Sequence, residues 1–186
     1  MKITSAIKMV SAAKLKKAQD AITAMKPYSE KLNELMSSFT NVISSSNISY
    51  LAAQRPIKKV LIVAIASNRG FCGAFNSNIV KQSKSLKSLE KFSNAEFYFI
   101  VIGKKVNDVL SKTENIVQNK SEIFDELSYE NSSPIIDQII QDFADEKYDH
   151  VEIIYNSFKN AANQIIKSEQ LLPIVNDSES EALQNY

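Results

Sequence analysis

The fold turns on residues 57–78, IKKVLIVAIASNRGFCGAFNSN. After Lys58 and Lys59 the run to Ala66 is rich in β-branched residues and apolar without alternation, the pattern of a strand buried on both faces. It gives way to Ser67-Asn68-Arg69-Gly70, and a helix is expected from about Asn76 to Lys91. Strand, tight connection and helix in that order open a parallel α/β unit. Such a connection is also where α/β enzymes carry phosphate loops and nucleophiles, and this one holds two of the three glycines and the only cysteine.

Working outward toward the C-terminus, EFYFIVIG (96–103) reads as a second strand. Gly103 leads into a short helix around Lys104 to Lys112, and ENIVQN (114–119) is a weak strand candidate. A helix is expected from about Pro134 to Ala144, capped by Ser132 or Ser133. DHVEIIYNSF (149–158) is a third clear strand, and AANQIIKSEQLLPIV (161–175) is a further strand or a short helix. Residues 54–175 therefore form a small, mostly parallel three-layer α/β sheet domain. The ending NDSESEALQNY (176–186) is polar, a tail without structure of its own.

Working outward toward the N-terminus, residues 1–53 read as one long helix. Ala18, Ala21, Met25, Tyr28, Leu32, Leu35, Phe39 and Val42 recur at alternating spacings of three and four, the rhythm of a coiled-coil seam. Ile3, Ile7 and Val10 continue the stripe, and Lys14 shifts its register. Pro27 removes one helical hydrogen bond and is expected to bend the helix without ending it. Fifty-odd helical residues span roughly 75 Å, whereas a body of ~130 residues has a radius of gyration of only ~14 Å. The helix is expected to project, and its apolar stripe needs a second helix that no other heptad in this chain supplies.

Composition narrows the classes. A chain of 186 residues with 44% hydrophobic and 23% charged residues is globular, and three glycines argue against a turn-rich all-β fold. A single cysteine excludes an internal disulfide framework. No apolar run approaches the ~20 residues of a membrane span, so any membrane association is indirect, and the N-terminus lacks the apolar core of a secretory signal. The net charge of +1 hides an asymmetry. Residues 1–19 hold five lysines and no acid, so the rest of the chain sums to −4. A basic tip faces something acidic.

The loop fails as a phosphate site on its spacing. Gly70 and Gly73 do not make GxxxxGK[ST], and GxGxxG is absent. Cys72 as a nucleophile needs a base, and the only histidine, His150, is expected to be solvated at a strand edge. One Cys and one His do not make a metal site. No catalytic, cofactor or metal residue is assigned. The lysine-rich tip has no aromatic residue for stacking and no arginine for base edges, which disfavours nucleic acid.

KITSAIKMVSAAKLKKAQ followed by PYSEKL, SNRGFCGAFNSN after the first strand, then YNSF and EQLLPI near the end together resemble the gamma subunit of F-type ATP synthase. The resemblance implies a central rotor shaft that couples proton-driven rotation to ATP synthesis and is not itself catalytic. Its N-terminal helix would pair antiparallel with a C-terminal helix inside the ring of α and β subunits. Its α/β domain would sit beside the epsilon subunit and on the c-ring, at the cytoplasmic face of a bacterial inner membrane. Ile7, Lys8, Met9, Lys14 and Lys17 on the shaft, and Arg69, Cys72 and Asn76 in the loop, would face the β subunits. The family's chains normally begin two or more helical turns upstream of this Met1, and the C-terminal shaft helix is missing here. The expectation is a fragment, a truncated product or one piece of a split subunit.

Two other readings compete: an α/β enzyme using the Arg69–Asn76 loop, and a nucleic-acid module using the lysine-rich helix. The polar tip of the loop, Ser67 to Arg69, is expected to be free to touch a neighbour.

Overall fold

The computed structural model describes residues 2–43, 49–160 and 163–174. The chain divides into two compact units, one containing the N-terminal helix and the other residues 47–159 with 164–175.

In the first unit, α1 runs from Lys2 to Ile43, 42 residues with Pro27 inside it. The described part is about 63 Å of helix at 1.5 Å per residue. Residues Ser49–Ala52 form a 3-10 turn that belongs to the other unit, so a continuous helix to residue 53 is a misreading. The described helix does continue past Pro27, as the unbroken apolar register requires.

The second unit is a five-stranded sheet in the order β3-β2-β1-β4-β5. Its strands are β1 (Lys59–Ile65), β2 (Glu96–Ile102), β3 (Ile116–Asn119), β4 (His150–Phe158) and β5 (Gln164–Leu172). β1 lies parallel to both β2 and β4, β3 lies parallel to β2, and β5 runs antiparallel to β4. The stretch 161–175 is thus a strand, and five residues between β4 and β5 are too few for the crossover that a parallel pairing needs.

The unbroken apolarity of β1 reflects burial on both faces. Val60, Ile62 and Ala64 join Phe99, Val101 and Ile154 under α2 (Phe75–Leu86) and α3 (Lys104–Leu110), which contribute Ile79, Leu86, Val106 and Leu110. Leu61 and Val63 join Ile100, Ile102 and Val151 under α4 (Tyr129–Ala144), which contributes Ile135, Ile139 and Phe143. This makes the three layers expected from sequence.

Two helix boundaries differ from expectation. α2 stops at Leu86, and a 3-10 turn at Glu90–Phe92 turns the chain so that Phe92 is buried. α4 begins five residues before Pro134, with Ser128 as its cap: the Ser128 hydroxyl accepts from the Asn131 N–H at 3.2 Å. Pro134 sits on the exposed side of the helix, where water can take the carbonyl that lost its donor. The tail 176–186 lies outside the described residues.

Candidate partner-binding surfaces

The loop between β1 and α2 is held by its own side chains. Asn76, in the first turn of α2, reaches back across it. Its Oδ1 accepts from the Ser67 N–H at 3.0 Å, and its Nδ2 donates to the Arg69 carbonyl at 3.0 Å and to Cys72 Sγ at 3.2 Å. The Ser67 hydroxyl donates to the Arg69 carbonyl at 2.6 Å. Asn68 bridges to the neighbouring connections, donating to the Ser121 carbonyl at 2.9 Å and accepting from the Lys104 N–H at 2.8 Å. The Ala66 N–H continues the sheet by donating to the Ile102 carbonyl at 2.8 Å.

These bonds correct the expected free tip. Ser67 and Asn68 are half-buried and spent on internal bonds, whereas Arg69 is exposed. Cys72 is also exposed. Asn76 is a half-buried organiser of the loop. The Ser67, Asn68 and Asn76 side chains are already partnered, and among the described residues no group of His, Cys, Asp and Glu could hold a metal ion. Replacing Asn76 by Ala strands the Ser67 N–H and should cost about 2 kcal/mol, with faster amide exchange at Ser67 as the local readout. Cys72→Ser should change stability by no more than about 0.5 kcal/mol, checked by thermal unfolding.

Cys72 and His150 do not form a pair. His150 opens β4 opposite Val60 at the far end of β1, more than about 15 Å along the strands from the loop. Contrary to expectation it is not solvated. It is 2% exposed, its ring meets Phe92 edge-on at 5.0 Å, and its Nε2 lies 2.7 Å from Glu152. Glu152, two residues on, points to the same face, as a strand's period of two dictates. The HVE triplet carried that information in the sequence.

Beside the loop, a mostly apolar groove of about 660 Å³ opens at the carboxyl ends of β1 and β4, with Ile65, Phe75, Phe124, Ile153 and Tyr155 in its lining. This is where the strand order reverses, the usual ligand crevice of open α/β sheets. Desolvation first, and then its hydrogen bond to Glu169, push the Tyr155 hydroxyl up to about 12, so it stays protonated.

Sequence reasoning passed over Phe71. Its backbone is left-handed, with φ of +56°, and its side chain is fully exposed. Nothing in a sequence string announces a positive φ outside glycine.

On α1, the five residues singled out do not gather into one patch. At 100° per residue, Lys14 lies near Ile7, Lys8 and Lys17 fall on opposite flanks, and Met9 faces away. They girdle the helix. Ile7, Met9, Met25 and Tyr28 are each more than 60% exposed, and no second helix covers the stripe among the described residues. Both units offer contact area: a helix with an uncovered apolar stripe and a cationic end, and a stiff loop on an α/β sheet. Both are surfaces of the kind that proteins bury against other segments or chains.

The comparisons name the class more closely. A family model described as ATP synthase matches residues 1–186. The ATP synthase gamma chain of Flavobacterium psychrophilum is 51% identical over 174 residues, covering 94% of this chain and 60% of that one. That of Christiangramia forsetii is 50% identical over 188 residues, covering 100% and 65%. Among solved structures, a chain of the central stalk and c-ring of the Tetrahymena thermophila mitochondrial ATP synthase superposes with a TM-score of 0.65 at 27% identity. It covers 92% of this chain and 72% of that one. The chain belongs to the ATP synthase gamma-chain family, and it spans about 60–65% of the length of these curated relatives.

Proposed function

We propose that the chain is part of the central-stalk rotor of an F-type ATP synthase, coupling proton-driven rotation to ATP synthesis without being catalytic itself. The observation that carries this reading is a 42-residue helix on which Ile7, Val10, Met25 and Tyr28 stand exposed in a chain of this family. A stripe of that kind is stable when another helix covers it, here an antiparallel helix from the same polypeptide or a second chain. The proposed partners are the α and β subunits of the catalytic ring, the epsilon subunit and the c-ring. The site is the cytoplasmic face of a bacterial inner membrane, reached only through those partners.

The girdle of Ile7, Lys8, Met9, Lys14 and Lys17 suits a shaft that is touched from all sides. Arg69 and Cys72 would meet the β subunits at the loop, with Asn76 holding its shape. As the shaft turns, each β subunit meets a different face, and the differential contact energy shifts its nucleotide-site equilibrium. Nucleotide chemistry would belong to the ring.

Co-expression with α and β subunits, with a C-terminal helix supplied, should give a complex that co-elutes in stoichiometric amounts and hydrolyses ATP. Failure to co-elute under those conditions overturns the assignment.

A further inference from the structure

Phe71 combines two costs that proteins normally avoid. An aromatic side chain lies fully in water, and its backbone sits at φ +56°, a region where a bulky residue is an outlier. Gly73, two residues on, is also left-handed at +61°, but glycine adopts that conformation freely. The strain is held by a rigid frame. Asn76 ties down the carbonyl of Arg69 on one side of Phe71 and Cys72 Sγ on the other. A strained residue kept by an over-determined surround points to function.

We infer that Phe71 is a preformed plug, the anchor by which the loop enters an apolar pocket with an acidic rim on a protein partner. The acidic rim follows from charge. Residues 66–80 contain no acid, Arg69 is their only charged side chain, and among the described residues its guanidinium makes no ion pair. Lys104 and Lys105 follow β2 beside the loop, Lys105 near enough that its Cε comes within 3.9 Å of a Cβ built on Gly70. Of the three cations only Lys105 has a carboxylate in reach, Asp108 at 3.7 Å. Buried aromatic anchors flanked by arginine dominate interface energies, and a side chain already fixed in its bound pose loses little entropy on binding. This rests on the rotor reading, which makes the β subunits the partner.

The test uses the ring of α and β subunits as the binding probe for the chain paired with a supplied C-terminal helix. Phe71→Ala should weaken association by about 30-fold or more, whereas Phe71→Leu should stay within about five-fold. Phe71→Gly should lose affinity like the alanine variant, yet unfold a few degrees higher because the strain is gone. Phe71 is fully exposed, so misfolding cannot explain a loss. Wild-type affinity in Phe71→Ala overturns the plug and leaves the rotor assignment standing, whereas a wild-type chain that does not bind the ring overturns both. A Phe71→Gly variant no more stable than the wild type overturns the claim that the residue is held under strain. Phe71-dependent binding to vesicles of anionic lipid, with ring binding unchanged, would assign the plug to a membrane and overturn the protein pocket.

Discussion

Gly103→Ala is expected to cost about 3 kcal/mol of unfolding free energy, measured by urea denaturation. Gly103 links β2 to α3 at φ +134°, outside the range of L side chains, and an added Cβ would stand 2.8 Å from the carbonyl carbon of Ala66 and 2.9 Å from its oxygen. Strain at such a position is worth about 1–3 kcal/mol, and overpacking adds about 1–3 more. The neighbour cannot yield, because Ala66 is buried and its N–H is held by the Ile102 carbonyl. Gly70→Ala is the matched control. It has no left-handed φ, and the nearest atom to its added Cβ is the flexible end of Lys105 at 3.9 Å. It should be neutral, or stabilising by up to about 1 kcal/mol through the unfolded chain. A loss under about 1 kcal/mol in Gly103→Ala would show that the turn can shift.

Glu152→Ala should be equally damaging, by about 3 kcal/mol, because it leaves His150 buried without its partner. The carboxylate is 5% exposed, takes the His150 Nε2–H at 2.7 Å on one oxygen and accepts from the Ser168 hydroxyl at 3.1 Å on the other. Burial, the largest influence, pushes its pKa up. The His150 hydrogen bond, the charges of Lys91 and His150 and the Ser168 bond together outweigh it, so the group titrates below its ordinary 4.5.

A carboxyl depressed on folding contributes stability above its unfolded pKa and loses it as pH falls through the folded value. The gap between wild type and Glu152→Ala should therefore narrow as the pH falls below about 4.5. Glu152→Gln keeps an acceptor for His150 and should cost only about 1 kcal/mol. A gap that widens as the solution is acidified would contradict the linkage.

Much of the fold was legible because a strand buried on both faces has to be apolar throughout. β1 lies between two strands and under helices on both faces, and its sequence says so. The end of α1 and the start of α4 were not legible. Pro134 looks like a first helical residue, yet tertiary packing let α4 begin at Tyr129 and carry the proline on its exposed side. β5 stayed ambiguous because QIIKSEQLL suits a half-buried strand and a short helix equally, and only pairing with β4 decides between them. At the loop, the strand-to-helix connection could be read, but not the division of labour within it. Asn76, named as a contact, is largely spent holding the loop, and Phe71, not named at all, is fully exposed.

The sequence by itself determined what repeats or runs: the heptad stripe and cationic tip of α1, the buried strands, and a motif series specific enough to reach the family. Those features depend on side chains a few residues apart along one element, so order along the chain is enough to reveal them. Tertiary structure alone decided what depends on distant segments meeting. Ala66 forbids a side chain at Gly103, Ser168 completes the shell around Glu152 and His150, and Asn76 closes a loop begun nine residues earlier. Each is a close approach in space, and no periodicity along the chain encodes it.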